Sequence, residues 1–190
     1  MQEKLTLVLG GSSSGKSKFA EQLALHRGAK VAYIATAEIL DVEMAHRVEK
    51  HQLRRKSDRW INYEAPYNAT DIINKAAESA DVILFDCLTV YLSNFLYNDA
   101  SVPEDEKDAD KLVYATKGLA KLIIAARNTG KSCIFVSNDI GSGVVPTNTT
   151  GREFRDISGV INQMFGEAAD EVFYVIAGQA VDIKKLAFKF

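Results

Sequence analysis

Short apolar runs alternate with longer helical segments along the chain, and this alternation restricts the fold more than any other feature. Residues 4–9, 31–35 and 82–85 are short and rich in Leu, Val and Ile, as expected for buried strands. Segments long enough for a helix separate them. Strands joined in this way run parallel through right-handed crossovers, and helices cover both faces of the sheet. The pattern therefore predicts an α/β fold with a mostly parallel sheet.

The same pattern assigns the remaining elements. The predicted strands cover residues 4–9, 31–35, 60–63, 82–85, 133–137, 172–177 and, at an edge, 181–183. The predicted helices cover residues 16–26, 39–56, 69–79, 88–97, 111–128 and 152–168. The core stripe predicted for the helix over 111–128 consists of Leu112, Leu119, Leu122, Ile123 and Ala126. No linker or repeat interrupts the series, so we expect residues 1–190 to form a single domain.

The composition excludes several classes of protein. The chain has 190 residues, 47% of them hydrophobic, and its 23 basic and 25 acidic side chains give a net charge of −2. Such a balance argues against a nucleic-acid-binding protein and a disordered acidic tail. No run approaches the ~18 apolar residues that span a bilayer, and we expect no signal peptide. Cys87 and Cys133 lie in apolar stretches, which predicts reduced core thiols and a cytoplasmic protein.

Residues 98–110 form the one strong shift in composition. They are rich in Asp and Glu and contain almost no apolar side chains. We expect a solvated loop followed by the acidic first turn of the next helix, where negative charge suits the helix dipole. A binding role for this stretch is the alternative.

Residues 10–17 match the pattern G-x-x-x-x-G-K-[ST] in full. A predicted strand precedes them and a predicted helix follows, which is the context of a phosphate-binding loop (P-loop). The glycines let backbone N–H groups point at phosphate oxygens, and the helix adds its positive end. We expect Lys16 to reach the β- and γ-phosphates and Ser17 to bind Mg²⁺. A chance glycine-rich turn is the alternative.

The second protein contact of the metal is expected at the end of another strand. Asp86 directly follows the apolar run over residues 82–85 and is the natural candidate. A cap for the helix predicted over residues 88–97 is the alternative, and one side chain can serve both roles.

Three classes of nucleotide-binding protein have to be distinguished. A regulatory GTPase needs an Asn-Lys-x-Asp signal, whereas Asn74-Lys75 continues as Ala76-Ala77. A larger ATPase machine ordinarily needs a longer chain. A small-molecule kinase fits both the length and the P-loop.

Basic residues surround one histidine in the helix predicted over residues 39–56. His51 follows Lys50 and precedes the Arg54-Arg55 pair, with Arg47 one turn earlier. The cations suit phosphate oxygens and favour the neutral imidazole, which is the nucleophilic form. A solvated basic helix face is the alternative.

Polar residues and glycines also follow the strand predicted over residues 133–137. Residues 137–146 read Ser-Asn-Asp-Ile-Gly-Ser-Gly-Val-Val-Pro. Ligands of α/β proteins bind at the carboxyl edge of the sheet, where this loop is expected to lie. A plain glycine loop is the alternative.

Taken together, these stretches resemble one family closely. The matching residues are 10–17, 19–21, 33–37, Asp41, 43–44, 47–51, Arg54, Trp60, Glu64, 86–89, 92–94, 137–146, 154–156, Gly159, 162–163, 169–172 and 177–178. The P-loop alone is unspecific, but the segment around His51 and the Gly-Ser-Gly-Val-Val-Pro loop are diagnostic. The chain resembles the bifunctional adenosylcobinamide kinase/adenosylcobinamide-phosphate guanylyltransferase family of cobalamin biosynthesis.

The resemblance implies a reaction in two steps, with ATP and GTP as substrates. The terminal hydroxyl of adenosylcobinamide is first phosphorylated by a nucleoside triphosphate. GTP then guanylylates an enzyme histidine, and GMP passes to the substrate phosphate to give adenosylcobinamide-GDP. By motif position, His51 is the histidine that carries GMP. The alternatives are a small-molecule P-loop kinase without guanylyl transfer and an enzyme that is a guanylyltransferase only.

The resemblance also implies roles for individual residues. Lys16 and His51 are expected to be catalytic, and Ser17 and Asp86 are expected to bind Mg²⁺. The residues implied in nucleotide binding are Gly10, Gly11, Ser12, Ser13, Ser14, Gly15, Lys16, Ser17, Ala35, Thr36, Ala37, Gln52, Leu53, Arg54, Arg55, Glu64 and Asp86. Family members are similar to trimers, so a homo-oligomer is expected, without nucleic acid and without a membrane span.

Three positions depart from the family pattern. Asp139 stands where a glutamate is usual, which shortens the carboxylate arm by one methylene. Thr147 replaces the glutamate of a Pro-Glu-Asn motif, and Ser13 replaces an arginine that is common in the P-loop.

Overall fold

Seven strands form one sheet in the computed structural model, which describes residues 3–38, 57–98 and 110–188. The strands are β1 (Leu5–Gly10), β2 (Val31–Ala35), β3 (Trp60–Glu64), β4 (Val82–Asp86), β5 (Ser132–Asn138), β6 (Glu171–Ile176) and β7 (Gln179–Asp182). Their order is β3-β2-β4-β5-β1-β6-β7, and every pair is parallel except β6 with β7. The predicted α/β fold with a mostly parallel sheet is confirmed.

Helices connect most of these strands. They are α1 (Lys16–Arg27), α2 (Ala69–Ala77), α3 (Leu88–Ser93), α4 (Lys111–Asn128), α5 (Thr149–Ala168) and the short α6 (Ile183–Leu186). The helix predicted over residues 39–56 and the acidic stretch over residues 99–109 lie outside the described residues. Within the described ranges, no helix has both the length and the apolar composition needed to cross a membrane.

Apolar layers cover both faces of the sheet. On one face, Leu119 of α4 and Phe165 of α5 join the same buried cluster as Phe135 of β5. On the other face, Ala20 of α1 joins a cluster that contains Val136. Successive side chains of a strand point to opposite faces, so β5 contributes to both layers. The sheet is therefore buried between helices, as a parallel sheet must be.

The core stripe predicted for α4 is partly wrong. Buried or partly buried as predicted are Leu119, Leu122, Ile123 and Ala126. Leu112, however, is 39% exposed. Asp110 caps the helix, because its carboxylate accepts hydrogen bonds from the backbone N–H groups of Leu112 and Val113. The first turn thus lies at the solvated end of the helix, and Ala115 is the first residue of α4 in the core.

Two other helices differ from the prediction by three or more residues at one end. The helix predicted over residues 88–97 is α-helical only as far as Ser93, and a π-helical turn over Asn94–Asn98 follows. Helix α5 begins at Thr149 rather than at residue 152. Its earlier start has a local cause: the side chain of Asn148 accepts a hydrogen bond from the backbone N–H of Gly151.

Both cysteines are free and buried, as predicted. Burial raises the pKa of the Cys87 thiol to about 12 and that of the Cys133 thiol to about 11. Both side chains are therefore protonated thiols at neutral pH, with packing roles rather than reactive ones.

Candidate active site

The predicted site residues that lie on strands meet at one edge of the sheet. Ala35 at the end of β2 pairs with Glu64 on one side and with Asp86 on the other. Gly10 at the end of β1 pairs with Asn138 at the end of β5. Since all five strands are parallel, their carboxyl ends lie at the same edge, where α/β proteins bind their ligands.

The P-loop forms a tight curl between β1 and α1. Ser13 and Gly15 have positive φ values of 57° and 96°. The backbone N–H of Ser14 donates to the carbonyl of Gly11 across 3.2 Å. Helix α1 begins directly after Gly15, which has no side chain to cap its first N–H groups. The free N–H groups at this end of the helix are therefore suited to donate hydrogen bonds to phosphate oxygens.

Lys16 lies at the centre of this curl. Its Nζ donates to the carbonyl of Gly11 across 3.0 Å, and the side chain is buried. Burial lowers the pKa of the Lys16 ammonium, while the nearby Cys87 and Asp86 side chains act in the opposite direction. A buried cation of this kind is stabilised by an anionic ligand, because phosphate oxygens replace the lost water.

The turn between β6 and β7 supports the P-loop from behind. Ala177 and Gly178, both with positive φ, form this hairpin turn. The N–H of Gly178 donates to the carbonyl of Ser14 across 2.9 Å. A Cβ on Gly10 would lie 2.5 Å from the carbonyl oxygen of Val175, so β6 also approaches the start of the loop too closely for a side chain. No local pattern in the sequence predicts this support, although residues 177–178 belong to the family match.

Asp86 is partly buried at the end of β4, and Tyr33 donates its hydroxyl to the carboxylate across 3.2 Å. The helix-cap alternative is not what the structure shows. Cys87 is the N-cap residue of α3, and its cap lacks a side-chain hydrogen bond within the described part of the chain. The negative charge of the Asp86 carboxylate is close enough to Lys16 to oppose the lowering of the pKa of its ammonium by burial.

Thr36 holds the turn that carries Asp86. Its backbone N–H donates to the carbonyl of Asp86, and its buried hydroxyl both donates to the carbonyl of Cys87 and accepts from the N–H of Cys87. The side-chain amide of Asn94 donates in turn to the carbonyl of Thr36 across 2.8 Å. The Thr36 hydroxyl therefore fixes backbone geometry in this state, while Ala35 and Ala37 on either side are partly exposed.

A second polar network fixes the loop after β5. The hydroxyl groups of Thr89 and Ser137 are 3.2 Å apart, and Ser137 donates to the side-chain oxygen of Asn162 across 2.7 Å. The amide of Asn162 donates to the carbonyl of Asn138, whose own N–H donates to Thr89. These residues belong to the family match, and Ser137 and Asn138 to the candidate ligand loop, but the sequence did not predict the contacts between them. A polar side chain within an apolar stretch, as at Thr89 and Ser137, is the signal that could have indicated a buried hydrogen bond.

Other predicted site residues are not brought to the P-loop by the described structure. Glu64 lies on β3, four strands away from β1 in the sheet order, a separation on the order of 19 Å. Its side chain is exposed. His51, Gln52, Leu53, Arg54 and Arg55 lie outside the described residues.

Comparison with known proteins decides the family. The cobinamide kinase/cobinamide phosphate guanyltransferase family matches residues 6–183. The chain belongs to this family. It is accordingly a transferase, and the resemblance inferred from the sequence is confirmed.

Curated relatives match over almost their whole length. The bifunctional adenosylcobalamin biosynthesis protein CobU of Escherichia coli K12 is 36% identical over 182 residues, which is 95% of this chain and 99% of that protein. The protein of the same name from Salmonella typhimurium LT2 is 37% identical over 186 residues, again 95% and 99% of the two chains. The crystal structure of the RadB recombinase covers 90% of this chain and 73% of its own at 17% identity and a TM-score of 0.45, a likeness too remote to support an inference.

Proposed function

We propose that the protein phosphorylates adenosylcobinamide and then transfers GMP from GTP, through a guanylyl-His51 intermediate, to give adenosylcobinamide-GDP in cobalamin biosynthesis. The observation that carries this proposal is a complete P-loop, with a buried Lys16, in a chain that matches the family over residues 6–183. One domain over residues 1–190 would perform both steps, in the cytoplasm, where its two thiols stay reduced.

In the kinase step, the substrate hydroxyl oxygen attacks the γ-phosphorus of the nucleoside triphosphate. A new P–O bond forms, the bond to the bridging oxygen breaks, and the nucleoside diphosphate leaves. The backbone N–H groups of residues 11–16 hold the phosphates in line for this displacement. Lys16 stabilises the negative charge that gathers on the oxygens in the transition state.

Mg²⁺ fits the donors that the edge of the sheet provides. Ser17 and Asp86 offer hard oxygen ligands, the type that Mg²⁺ prefers. Within residues 3–38, 57–98 and 110–188, no group of three or more His, Cys, Asp or Glu side chains could hold a metal by itself. The ion would therefore depend on phosphate oxygens for further ligands, and it would neutralise their charge.

In the guanylyl step, the neutral imidazole of His51 attacks the α-phosphorus of GTP, and pyrophosphate leaves. A phosphate oxygen of the phosphorylated substrate then attacks the same phosphorus and breaks the P–N bond. The intermediate replaces one difficult transfer between two anions with two easier steps. Gln52, Leu53, Arg54, Arg55, Glu64 and the segment Ala35, Thr36, Ala37 would bind the guanine nucleotide.

Labelled GTP tests the proposal directly. With Mg²⁺ and α-labelled GTP, the wild-type enzyme should acquire acid-labile, base-stable label, whereas His51→Ala should not. His46→Ala is the matched control and should be labelled normally. A γ-labelled nucleotide should label adenosylcobinamide in both variants. Transfer of the γ-label without any guanylyl-enzyme would identify the small-molecule kinase, and guanylyl transfer without γ-transfer would identify an enzyme that is only a guanylyltransferase.

We also propose that the chain forms a homo-oligomer, a trimer by the family resemblance. Exposed apolar residues on α4 and α5 support this, since Leu112 (39% exposed) and Val160 (36% exposed) line the same surface groove. Sedimentation at micromolar concentration should give the mass of a trimer. A monomer at that concentration would contradict the proposal.

A further inference from the structure

A cavity of about 840 Å³ opens beside the P-loop, and its chemistry differs from that of a phosphate site. One wall is formed by Ser12, Ser13 and Ser14 of the P-loop. Its lining also contains Val144, Phe154 and Ile176, from the loop after β5, from α5 and from the end of β6, which together are called the apolar wall here. The volume suits a large organic ligand rather than a phosphate group alone.

The apolar wall of this cavity is open to solvent. Val144 is 94% exposed and Ile176 is 62% exposed, and both line the same concave surface. Exposed apolar side chains grouped around a cavity are typical of ligand-binding surfaces. The cavity therefore combines a phosphate-binding side with a side that favours an apolar molecule.

Asp139 stands where these two sides meet. Its backbone N–H donates to the carbonyl of Gly10 across 3.1 Å, which fixes the residue next to the P-loop. Its Oδ2 accepts hydrogen bonds from the hydroxyl of Tyr174 across 2.9 Å and from Ser142 across 2.6 Å. The bond to Asp139 raises the pKa of Tyr174, so the phenol remains a donor at neutral pH.

A carboxylate at this position is costly for phosphate binding, because like charges repel. A carboxylate can instead act as a general base toward a neutral group that carries a proton. An alcohol that attacks a γ-phosphate is such a group. The two hydroxyl groups that hold Oδ2 keep the carboxylate in one orientation, at the boundary between the P-loop and the apolar wall.

We propose that this cavity, named here the acceptor pocket, binds the alcohol acceptor of the kinase step and that Asp139 takes the proton of its hydroxyl. This inference rests on the proposed kinase activity. The acceptor oxygen forms a bond to the γ-phosphorus, its proton moves to the Asp139 carboxylate, and the bond from phosphorus to the bridging oxygen breaks with departure of the nucleoside diphosphate. The occupant is a large organic molecule with some apolar surface that ends in an alcohol hydroxyl.

The first experiment measures γ-phosphate transfer to adenosylcobinamide in Asp139→Asn. We expect kcat to fall about 100-fold, while α-labelling of the enzyme by GTP is retained. Asp139→Glu keeps the carboxylate and should restore most of the activity. Asp58→Asn, an exposed carboxylate before β3, is the control and should behave as wild type. Transfer by Asp139→Asn at the wild-type rate would overturn the inference.

The second experiment tests the apolar wall without touching the carboxylate. Val144→Asp should raise KM for adenosylcobinamide at least about tenfold and leave KM for the nucleotide unchanged. An unchanged KM for adenosylcobinamide would overturn the assignment of the pocket. If Asp139→Asn loses both activities through misfolding, Asp139→Glu and Val144→Asp still decide the question. Absence of γ-transfer in the wild-type enzyme would instead contradict the proposed function.

Discussion

The two ends of the sheet edge are built in different ways. At the β1 end, the phosphate cradle consists of consecutive residues, and backbone groups of Gly11 and Ser14 provide its internal hydrogen bonds. At the β2–β3–β4 end, Asp86 and Glu64 come from strands far apart in the sequence and are aligned by pairing with Ala35.

This difference matters for function because the first end binds phosphate through backbone groups together with the Lys16 cation, whereas the second end depends on side chains from several strands. A backbone cradle binds any triphosphate, so the β1 end can serve both proposed steps. Side chains distinguish one base or one acceptor from another, so Glu64 at the second end is expected to serve guanylyl transfer alone, whereas Asp86 would serve both steps through the proposed Mg²⁺ site. The separation between β1 and β3, on the order of 19 Å, is consistent with such a division.

Lys16→Ala gives the largest expected effect. It should lower both γ-transfer and α-labelling about 1000-fold, because it removes the central cation of the cradle. Steady-state kinetics and labelling measure the two activities in one preparation. Lys18→Ala, an exposed lysine in the same helix, should have little effect. Loss of γ-transfer alone would contradict the proposal that the P-loop serves both steps, since the guanylyl step would then use a different triphosphate site.

Thr36→Val tests how the turn that carries Asp86 at the second end is held in place. The substitution removes the partner of the buried N–H of Cys87, while the carbonyl of Cys87 still accepts from the N–H of Tyr91. The free energy of unfolding should therefore fall by about 1–3 kcal/mol. Urea denaturation measures the loss. Thr116→Val, which removes a more exposed hydroxyl from α4, should cost less than about 0.5 kcal/mol. Equal losses in the two variants would mean that Thr36 does not hold the Asp86 turn.

Glu64→Gln should reduce one activity selectively. We expect α-labelling by GTP to fall by roughly 10- to 150-fold, with γ-transfer unchanged, because the loss of a hydrogen-bonded charge costs roughly 1.5–3 kcal/mol. Glu78→Gln, an exposed carboxylate just after α2, serves as the control. A parallel decrease in both activities would show that the two ends of the edge act as one site.

Asp170→Asn should give the smallest effect, confined to stability. Hydrogen bonds from Arg127 lower the pKa of Asp170 below its ordinary value of 3.8, and the N–H of Leu5 adds to this. The carboxylate therefore stabilises the fold above that value and loses its contribution as the pH falls through the lowered pKa. Since the pair is partly exposed, the difference at pH 7 should stay below about 1 kcal/mol.

Urea denaturation at several pH values checks this prediction. The difference in the free energy of unfolding between Asp170→Asn and wild type should disappear in acid. The variant should keep both activities at neutral pH. A difference that survives at low pH would mean that packing, rather than charge, makes the contribution.

The sequence was sufficient for features that depend on neighbouring residues. The P-loop follows from eight consecutive residues, and the bounds predicted for α4 agree with the structure because Asp110 and the helix pattern are local signals. Asp86 was found as a site candidate because it ends an apolar run. Leu112 was placed wrongly in the core, since periodicity does not show that a helix begins outside the packed layer.

Features made by distant segments could not be predicted in this way. The hydroxyl of Thr36 bonds to a backbone group 51 residues away, and the support of Ser14 by Gly178 joins opposite ends of the chain. Neither contact leaves a periodic signal in the sequence. The π-helical turn that contains Asn94, which donates to Thr36, could not be predicted either. Its apolar pattern is that of a continued α-helix.

The hairpin behind the P-loop has a consequence for the order of events during synthesis. Gly10 emerges early, whereas the N–H of Gly178 that braces Ser14 emerges near the end. At roughly 5–20 residues per second, the interval is on the order of 10–30 s. A nascent chain would therefore carry the nucleotide motif for most of its synthesis without the finished cradle. Tight binding of triphosphate would begin only when β6 and β7 have paired, so nucleotide would act as a late stabiliser of the completed protein.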